Sequence, residues 1–105
     1  MKHLFKILPF LVLSALWTAG ANVLPNQLFS DNAVLQRGIN VPVWGNAVDG
    51  EKVTVEFAGQ KHESITKNGH WSVSLQPLEA SSIPRTMTIT GSNTVTLTNI
   101  LVGEV

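Results

Sequence analysis

The sequence predicts an all-β fold, a small antiparallel β-sandwich of about seven short strands, and two observations carry this prediction. After residue 22 no stretch keeps the 3.6-residue apolar period of a helix, whereas apolar and polar residues alternate with period two in several short segments. These segments are separated by residues that tolerate the backbone angles of tight turns, at Arg37-Gly38, Val48-Asp49-Gly50, Ala58-Gly59, Asn68-Gly69 and Gly91-Ser92-Asn93.

Four segments show the alternation most clearly, because their apolar residues fall on one face and Thr, Ser or Glu on the other. They lie at 53–57, 71–75, 86–90 and 94–98. This pattern is typical of sheets that face water on one side, and the β-branch of threonine favours strands.

Two earlier strands are expected at 33–37 and 40–45. The second contains Pro42, which lacks a backbone N–H. That strand should therefore lie at an edge of its sheet or be unpaired on the side of Pro42.

The Asn68-Gly69 turn allows two registers for the hairpin around it. A two-residue loop sets Thr66 opposite Trp71 and mixes a polar with an apolar residue. A three-residue loop from Lys67 to Gly69 sets Ile65 opposite Trp71 and places both on the core face. We therefore expect the three-residue loop.

Near the end of the chain the alternation breaks between Leu97 and Ile100. A β-bulge around Thr98-Asn99 would add one residue to the strand and return Ile100 and Val102 to the inner face. The sequence therefore predicts a bulge at this point.

Residues 1–21 have the organisation of a secretory signal peptide. A basic start is followed by an apolar stretch at 7–17 and by Ala19 and Ala21 in the Ala-x-Ala arrangement that signal peptidase accepts. The apolar stretch is too short to cross a hydrocarbon core of ~30 Å, and a buried core helix, the alternative, does not explain this order of regions. We expect a signal-peptide helix at 1–21, a β-sandwich domain at 22–105, export to the periplasm or the extracellular space, and no membrane association after cleavage.

The composition excludes several classes of function. Seven basic residues balance seven acidic ones, and no run of Lys and Arg exists that would follow a phosphate backbone, so nucleic acid is not an expected partner. The chain has no cysteine, which excludes disulfides, thiolate zinc sites and a cysteine nucleophile. No cofactor is expected.

Two groups of side chains could in principle bind a metal, but neither has the spacing that a metal site requires. His62 and His70 flank the hairpin, and the nearest acid, Glu63, points to the face opposite His62, so exposed strand or loop histidines are expected. Oxygen-bearing side chains in the segment 46–51 do not recur at alternate positions as in a calcium loop, so a plain turn is expected. We assign no metal-binding residue.

No catalytic or cofactor-binding residue is assigned either. No serine lies in a Gly-x-Ser-x-Gly motif, and nothing in the sequence places a histidine beside a serine, as nucleophilic catalysis requires. Trp44 and Trp71 could form a sugar-stacking platform. Trp71 belongs to the alternating core set, so Trp44, on the face opposite Val43, is the better candidate for a surface or interface aromatic.

An ordered series of short segments runs from Leu24 to the end of the chain. It comprises Leu24-Pro25-Asn26, Phe29-Ser30-Asp31-Asn32, Val34-Leu35-Gln36-Arg37, Pro42-Val43-Trp44-Gly45, Gly50-Glu51-Lys52-Val53-Thr54-Val55, Gly69-His70-Trp71 and Leu97-Thr98-Asn99-Ile100-Leu101-Val102-Gly103-Glu104-Val105. Over essentially all of residues 24–105, this series resembles the N-terminal part of the sialate O-acetylesterases (sialic acid-specific 9-O-acetylesterases). These are secreted carbohydrate esterases of the SGNH-hydrolase type.

The resemblance implies a non-catalytic role for this chain. In that family a small β-sandwich precedes a catalytic α/β domain, and the Gly-Glu-Val segment leads into a Ser-Gly-Gln-Ser-Asn stretch that carries the nucleophilic serine. This chain ends at Val105, before that stretch, so no catalytic residue is carried over to any position. The implied function is that of the N-terminal β-sandwich of a secreted esterase that removes O-acetyl groups from sialic acid or other glycans. Its implied partners are an SGNH-type catalytic domain downstream and an acetylated glycan.

Two other functions stay open at this point: a free-standing carbohydrate-binding module with Trp44 as its platform, and a structural or adhesion-type sandwich. Arg37 lies between an expected strand and the Gly38 turn. It is a candidate for an ion pair within the domain or between domains, because a guanidinium can hold a carboxylate through two parallel hydrogen bonds.

Overall fold

Residues 22–105 form a two-sheet β-sandwich in the computed structural model, and the structure describes this part of the chain only. The signal-peptide helix expected at 1–21 lies outside the described residues. The strands of the described part are β1 (Leu24–Pro25), β2 (Val34–Gln36), β3 (Val41–Asn46), β4 (Lys52–Phe57), β5 (Gln60–Ile65), β6 (His70–Leu75), β7 (Ser81–Thr90) and β8 (Thr94–Gly103). Between residues 22 and 105 no helix has the length and apolar character that a membrane crossing requires.

The strands make a three-stranded sheet in the order β1-β3-β6 and a five-stranded sheet in the order β2-β8-β7-β4-β5. The predicted all-β sandwich is confirmed, with two differences. The described residues contain eight strands rather than about seven, because β1 has two residues and is too short to show an alternation. In addition β2 pairs with β8 in parallel, with Val34 beside Leu101, so the sandwich is not wholly antiparallel.

The core lies between the two sheets and follows the alternation in the sequence. In β4 and β6 every second residue is buried. The buried apolar side chains form one cluster to which both sheets contribute: Val23, Phe29, Leu35, Val41, Val43, Val53, Val55, Phe57, Trp71, Val73, Leu75, Leu78, Met87, Ile89, Leu97, Ile100 and Val102. Removal of this apolar surface from water is the main favourable term for a chain without disulfides.

The β-bulge predicted in β8 is confirmed. Met87 pairs with Leu97 and Arg85 with Ile100, so β8 has two residues where β7 has one. Asn99, in the bulge, has a φ of 60°. The extra residue shifts the alternation by one position, and both Leu97 and Ile100 are buried as a result.

Pro42 lies where a strand can tolerate it. β3 is the middle strand of its sheet, but β1 pairs only with Gly45 and Asn46. The carbonyl of Trp44 accepts the N–H of Asn26 on that side. Pro42 is two residues earlier in β3, so its nitrogen points to the same side, beyond the end of β1, where no partner strand needs a donor.

The hairpin register predicted around Asn68-Gly69 is wrong. Lys67 and His70 exchange backbone hydrogen bonds of 2.9 and 3.0 Å, so the loop has two residues. Both loop residues have positive φ, 54° at Asn68 and 79° at Gly69, as in the type I′ turn that suits a two-residue hairpin.

This register buries Thr66 and exposes Ile65, with 1% and 54% of their surface accessible, respectively. Thr66 can lie in the core because its hydroxyl donates a hydrogen bond of 2.9 Å to the carbonyl of Glu51, so burial leaves no polar group unsatisfied. Ile65 lies on the outer face of the five-stranded sheet beside Lys52, its partner across β4 and β5.

Candidate functional site

His62 and His70, the histidines among the described residues, are not brought together in a catalytic or metal-binding arrangement. Nε2 of His62 lies 2.8 Å from Oε1 of Gln60, and Nδ1 of the exposed His70 lies 3.1 Å from Nδ2 of Asn46. His62 is half-buried rather than exposed as expected, because it lies on the inward-facing side of β5. Among residues 22–105 no group of three or more His, Asp or Glu side chains is placed to hold a metal ion.

The segment 46–51 forms the turn that the sequence predicts. The N–H of Glu51 donates to the carbonyl of Val48 at 3.0 Å. Oδ1 of Asp49 accepts the N–H of Gly69 at 2.6 Å, and the carboxylate of Glu51 accepts the backbone N–H of Ser92. Both carboxylates therefore hold backbone N–H groups and join this turn to neighbouring loops.

The two tryptophans among the described residues, Trp44 and Trp71, have different environments. Trp71 is buried, and its indole N–H donates to the carbonyl of Asn46 at 3.1 Å, so its assignment to the core is confirmed. Trp44 is half-buried, and its ring meets that of Phe29 edge-on, with centroids 4.9 Å apart and an interplanar angle of 86°. This contact commits part of the Trp44 ring to intramolecular packing and leaves less of it for a sugar.

Arg37 forms an ion pair within the domain, with Glu104. Its guanidinium approaches Oε1 of Glu104 at 3.7 Å through one nitrogen, and the two side chains are 52% and 75% exposed. The side chain of Gln36 bonds Oε2 of Glu104 at 3.3 Å and the N–H of Val105 at 2.9 Å. The pair is not the bidentate contact that the guanidinium geometry allows, and most of both side chains stays accessible.

A depression of about 260 Å³ lies on the outer face of the five-stranded sheet, where β4 turns into β5. Across three adjacent strands, Lys61 of β5 stands opposite Glu56 of β4, and Glu56 stands opposite Thr88 of β7. Thr86 is two residues from Thr88 on the same face. The Ala58-Gly59 turn closes one end of the depression.

The charged groups of this depression have no protein partner among the described residues. Glu56 and Lys61 are cross-strand neighbours, yet they do not form an ion pair. On the same face of the same two strands, Lys52 and Glu63 do, at 3.8 Å. The depression therefore offers a carboxylate, an ammonium group and two threonine hydroxyls to an external ligand.

The rim of the depression is held rigidly. Gln60 donates through Nε2 to the carbonyl of Gln76 at 3.1 Å and accepts the N–H of Gln76 through Oε1 at 2.8 Å. These bonds attach the β4–β5 hairpin to Gln76, which directly follows β6 of the three-stranded sheet. Ala58 has a φ of 51°, a left-handed conformation that costs a residue with a Cβ about 1–2 kcal/mol.

The sequence did not reveal this depression. The Ala58-Gly59 turn and the alternation in β4 and β7 were visible, but β7 is about thirty residues from β4 in the chain. Only the strand order and register bring Glu56 and Thr88 together.

Comparison with known proteins finds a similar β-sandwich within a carbohydrate acetylesterase of known structure. A solved structure of a carbohydrate acetylesterase from Xanthomonas citri superimposes on this chain with a TM-score of 0.75 and 27% sequence identity. The chain is similar to part of that acetylesterase. No protein-family profile and no curated protein sequence matches the chain.

This chain is similar to only part of the acetylesterase. It covers 78% of this chain but 19% of the acetylesterase, so the chain spans less than a fifth of the length of that protein. A relationship to carbohydrate esterases agrees with the resemblance drawn from the sequence. Most residues of that acetylesterase therefore have no counterpart in this chain.

Proposed function

We propose that this chain is the N-terminal accessory β-sandwich of an exported carbohydrate acetylesterase and that it supports a catalytic domain rather than hydrolysing esters itself. The observation that carries the proposal is the 27% identity to a carbohydrate acetylesterase over 78% of this chain. The matching region makes up only 19% of that enzyme, as we expect if this chain is one accessory domain of a longer protein.

The chemistry of the described residues supports an accessory role. Ester hydrolysis by a serine hydrolase requires a nucleophile, a base within hydrogen-bond reach and donors for the oxyanion. His62 and His70 instead contact the amide side chains of Gln60 and Asn46. The proposal therefore assigns the nucleophile and its base to an SGNH-type domain downstream, as the sequence resemblance implies.

The finer parts of the proposal concern substrate and location. The resemblance to sialate O-acetylesterases favours O-acetyl groups on sialic acid or a related glycan as the substrate of the whole enzyme. The signal-like organisation of residues 1–21 favours action outside the cytoplasm, in the periplasm or beyond the cell.

The surface around the end of β8 is the proposed contact with the catalytic domain. Arg37 and Glu104 pair there weakly and keep most of their surface exposed. Val34, on the outer face of the edge strand β2, is also exposed, and β2 pairs with β8 at this point. The exposed Arg37–Glu104 pair lies beside the exposed side chain of Val34. This surface therefore combines charged and apolar groups, as interfaces with a polar rim and an apolar centre do.

The test compares three proteins: the complete gene product, the same product without residues 22–105, and the 105-residue chain alone. We expect acetate release from acetylated sialic acid or acetylated saccharides by the complete product, none by the chain alone, and lower thermal stability after the deletion. Acetate release by the chain alone would overturn the accessory role. A catalytic part that is equally stable and active without residues 22–105 would overturn the supporting role.

A further inference from the structure

We propose that the depression formed by Glu56, Lys61, Thr86 and Thr88 binds one neutral sugar residue. It is a binding site separate from any ester-cleaving centre. The choice of a sugar as the ligand class rests on the proposed function, whereas the existence of a ligand site rests on the depression itself.

The size of the depression favours a single ring. Its volume is about 260 Å³. Sites for drug-sized ligands are larger, roughly 300–1,000 Å³. One pyranose ring, with the rest of a glycan extending into solvent, suits these dimensions.

The charges favour a neutral ligand that both donates and accepts hydrogen bonds. An anion would meet the carboxylate of Glu56 and a cation would meet the ammonium group of Lys61, which stands directly opposite. Neighbouring hydroxyls of a sugar can donate to the carboxylate and accept from the ammonium group at the same time. The hydroxyls of Thr86 and Thr88 add groups that do either.

The surroundings favour a preformed site. Gln60 is fixed to Gln76 by two hydrogen bonds, and Ala58 is held in a left-handed conformation at the turn. The positive φ values of 51° at Ala58 and 81° at Gly59 are those of a two-residue hairpin turn, which fixes the backbone at this end of the depression. A rigid rim lowers the entropy lost when a ligand binds.

The site lacks an exposed aromatic ring, because Phe57 is 2% exposed. The sugar is therefore held by hydrogen bonds alone and in an open depression. We expect a dissociation constant of roughly 1–10 mM for a monosaccharide, within reach of a titration followed by NMR.

The experiment titrates the ¹⁵N-labelled 105-residue chain with methyl β-D-galactopyranoside and methyl α-D-glucopyranoside and follows amide chemical shifts. We expect saturable shifts at 56–61 and 86–88. The variants Glu56→Gln, Lys61→Gln and Thr88→Val should each weaken binding, by about tenfold for the charged residues. The matched control is Glu63→Gln, which changes a carboxylate on the same face of the same hairpin outside the depression and should bind as the parent does.

Four results would overturn the proposal. The first two are the absence of a saturable shift at up to about 50 mM of either sugar and shifts centred on Trp44 instead of the depression. The third is a loss of affinity in Glu63→Gln as large as in the variants of the depression. The fourth is stronger binding of the acidic N-acetylneuraminic acid than of the neutral sugars. Amide dispersion shows whether each variant is folded. Agreement among the substitutions of exposed Glu56 and Lys61 and of half-buried Thr88 keeps the test independent of any one of them. Because the titration needs no catalytic domain, its failure would leave the proposed accessory function standing.

Discussion

Thr66 and Glu51 are joined by two hydrogen bonds: the backbone N–H and the hydroxyl of Thr66 both donate to the carbonyl oxygen of Glu51, each at 2.9 Å. The carbonyl of Thr66 in turn accepts the N–H of Gly50 at 2.9 Å. These bonds attach the segment between β5 and β6 to the turn that precedes β4. They also explain how a polar side chain lies in the core.

Thr66→Val should lower the free energy of unfolding by about 1 kcal/mol, because it keeps the shape of the side chain and removes the hydroxyl bond. The loss is modest because the backbone N–H of Thr66 still satisfies the Glu51 carbonyl. Urea denaturation measures it. The control is Thr96→Val, the same chemical change at an exposed position of β8, which should stay within about 0.5 kcal/mol. A Thr66→Val variant at least as stable as the parent would show that the hydroxyl bond contributes nothing.

Gly45→Ala should destabilise the fold by about 3 kcal/mol, since the added methyl has no room. A Cβ at this position would lie 2.8 Å from both the Cα of Pro25 and Cζ2 of Trp71, and it would also collide with the carbonyl oxygen of Leu24. Thermal unfolding checks the prediction. Gly103→Ala is the matched control, because a Cβ there meets nothing within 4 Å; equal stability of the two variants would contradict the close approach of β1, β3 and Trp71.

Gly69→Ala should cost about 1–2 kcal/mol through backbone conformation alone. Gly69 has a φ of 79°, and a Cβ there would meet nothing within 4 Å, so no steric term adds to the loss. Gly69→Asn should lose less, because asparagine tolerates the left-handed region. Chemical denaturation of both variants gives the comparison, and a larger loss for Asn than for Ala would rule out the two-residue turn.

Arg37→Ala should change the free energy of unfolding of the 105-residue chain by less than about 0.5 kcal/mol, because exposed ion pairs contribute little. The Arg37–Glu104 pair is exposed and joined by a single contact of 3.7 Å. Denaturation at low and high salt measures the effect. A loss well above 1 kcal/mol would mean that the pair holds the end of β8 in place within the domain. A loss seen only in the complete gene product would support its role at a domain boundary.

The strands were predictable wherever one face is buried and the other wet. In β4, in β6 and at the paired ends of β7 and β8, the alternation of apolar and polar residues predicted both the presence of a strand and which of its residues point into the core. The bulge at Asn99 was predictable for the same reason, since a break in a period of two has few structural causes.

The errors came from interactions between distant parts of the chain. Thr66 was expected to face outward because threonine is polar, and nothing near it in sequence shows that Glu51 supplies an acceptor. The parallel pairing of β2 with β8 joins strands more than sixty residues apart. The depression around Glu56 and Thr88 depends on the same long-range register, so the candidate site could not be predicted before the strand order was known.

The most direct test of the central claim is the DNA sequence immediately past the codon for Val105. The account predicts an open reading frame that continues into a Ser-Gly-Gln-Ser-Asn-like stretch and then a hydrolase domain. A stop codon at that point would contradict it, because the product would be a β-domain without the catalytic part that it is proposed to support.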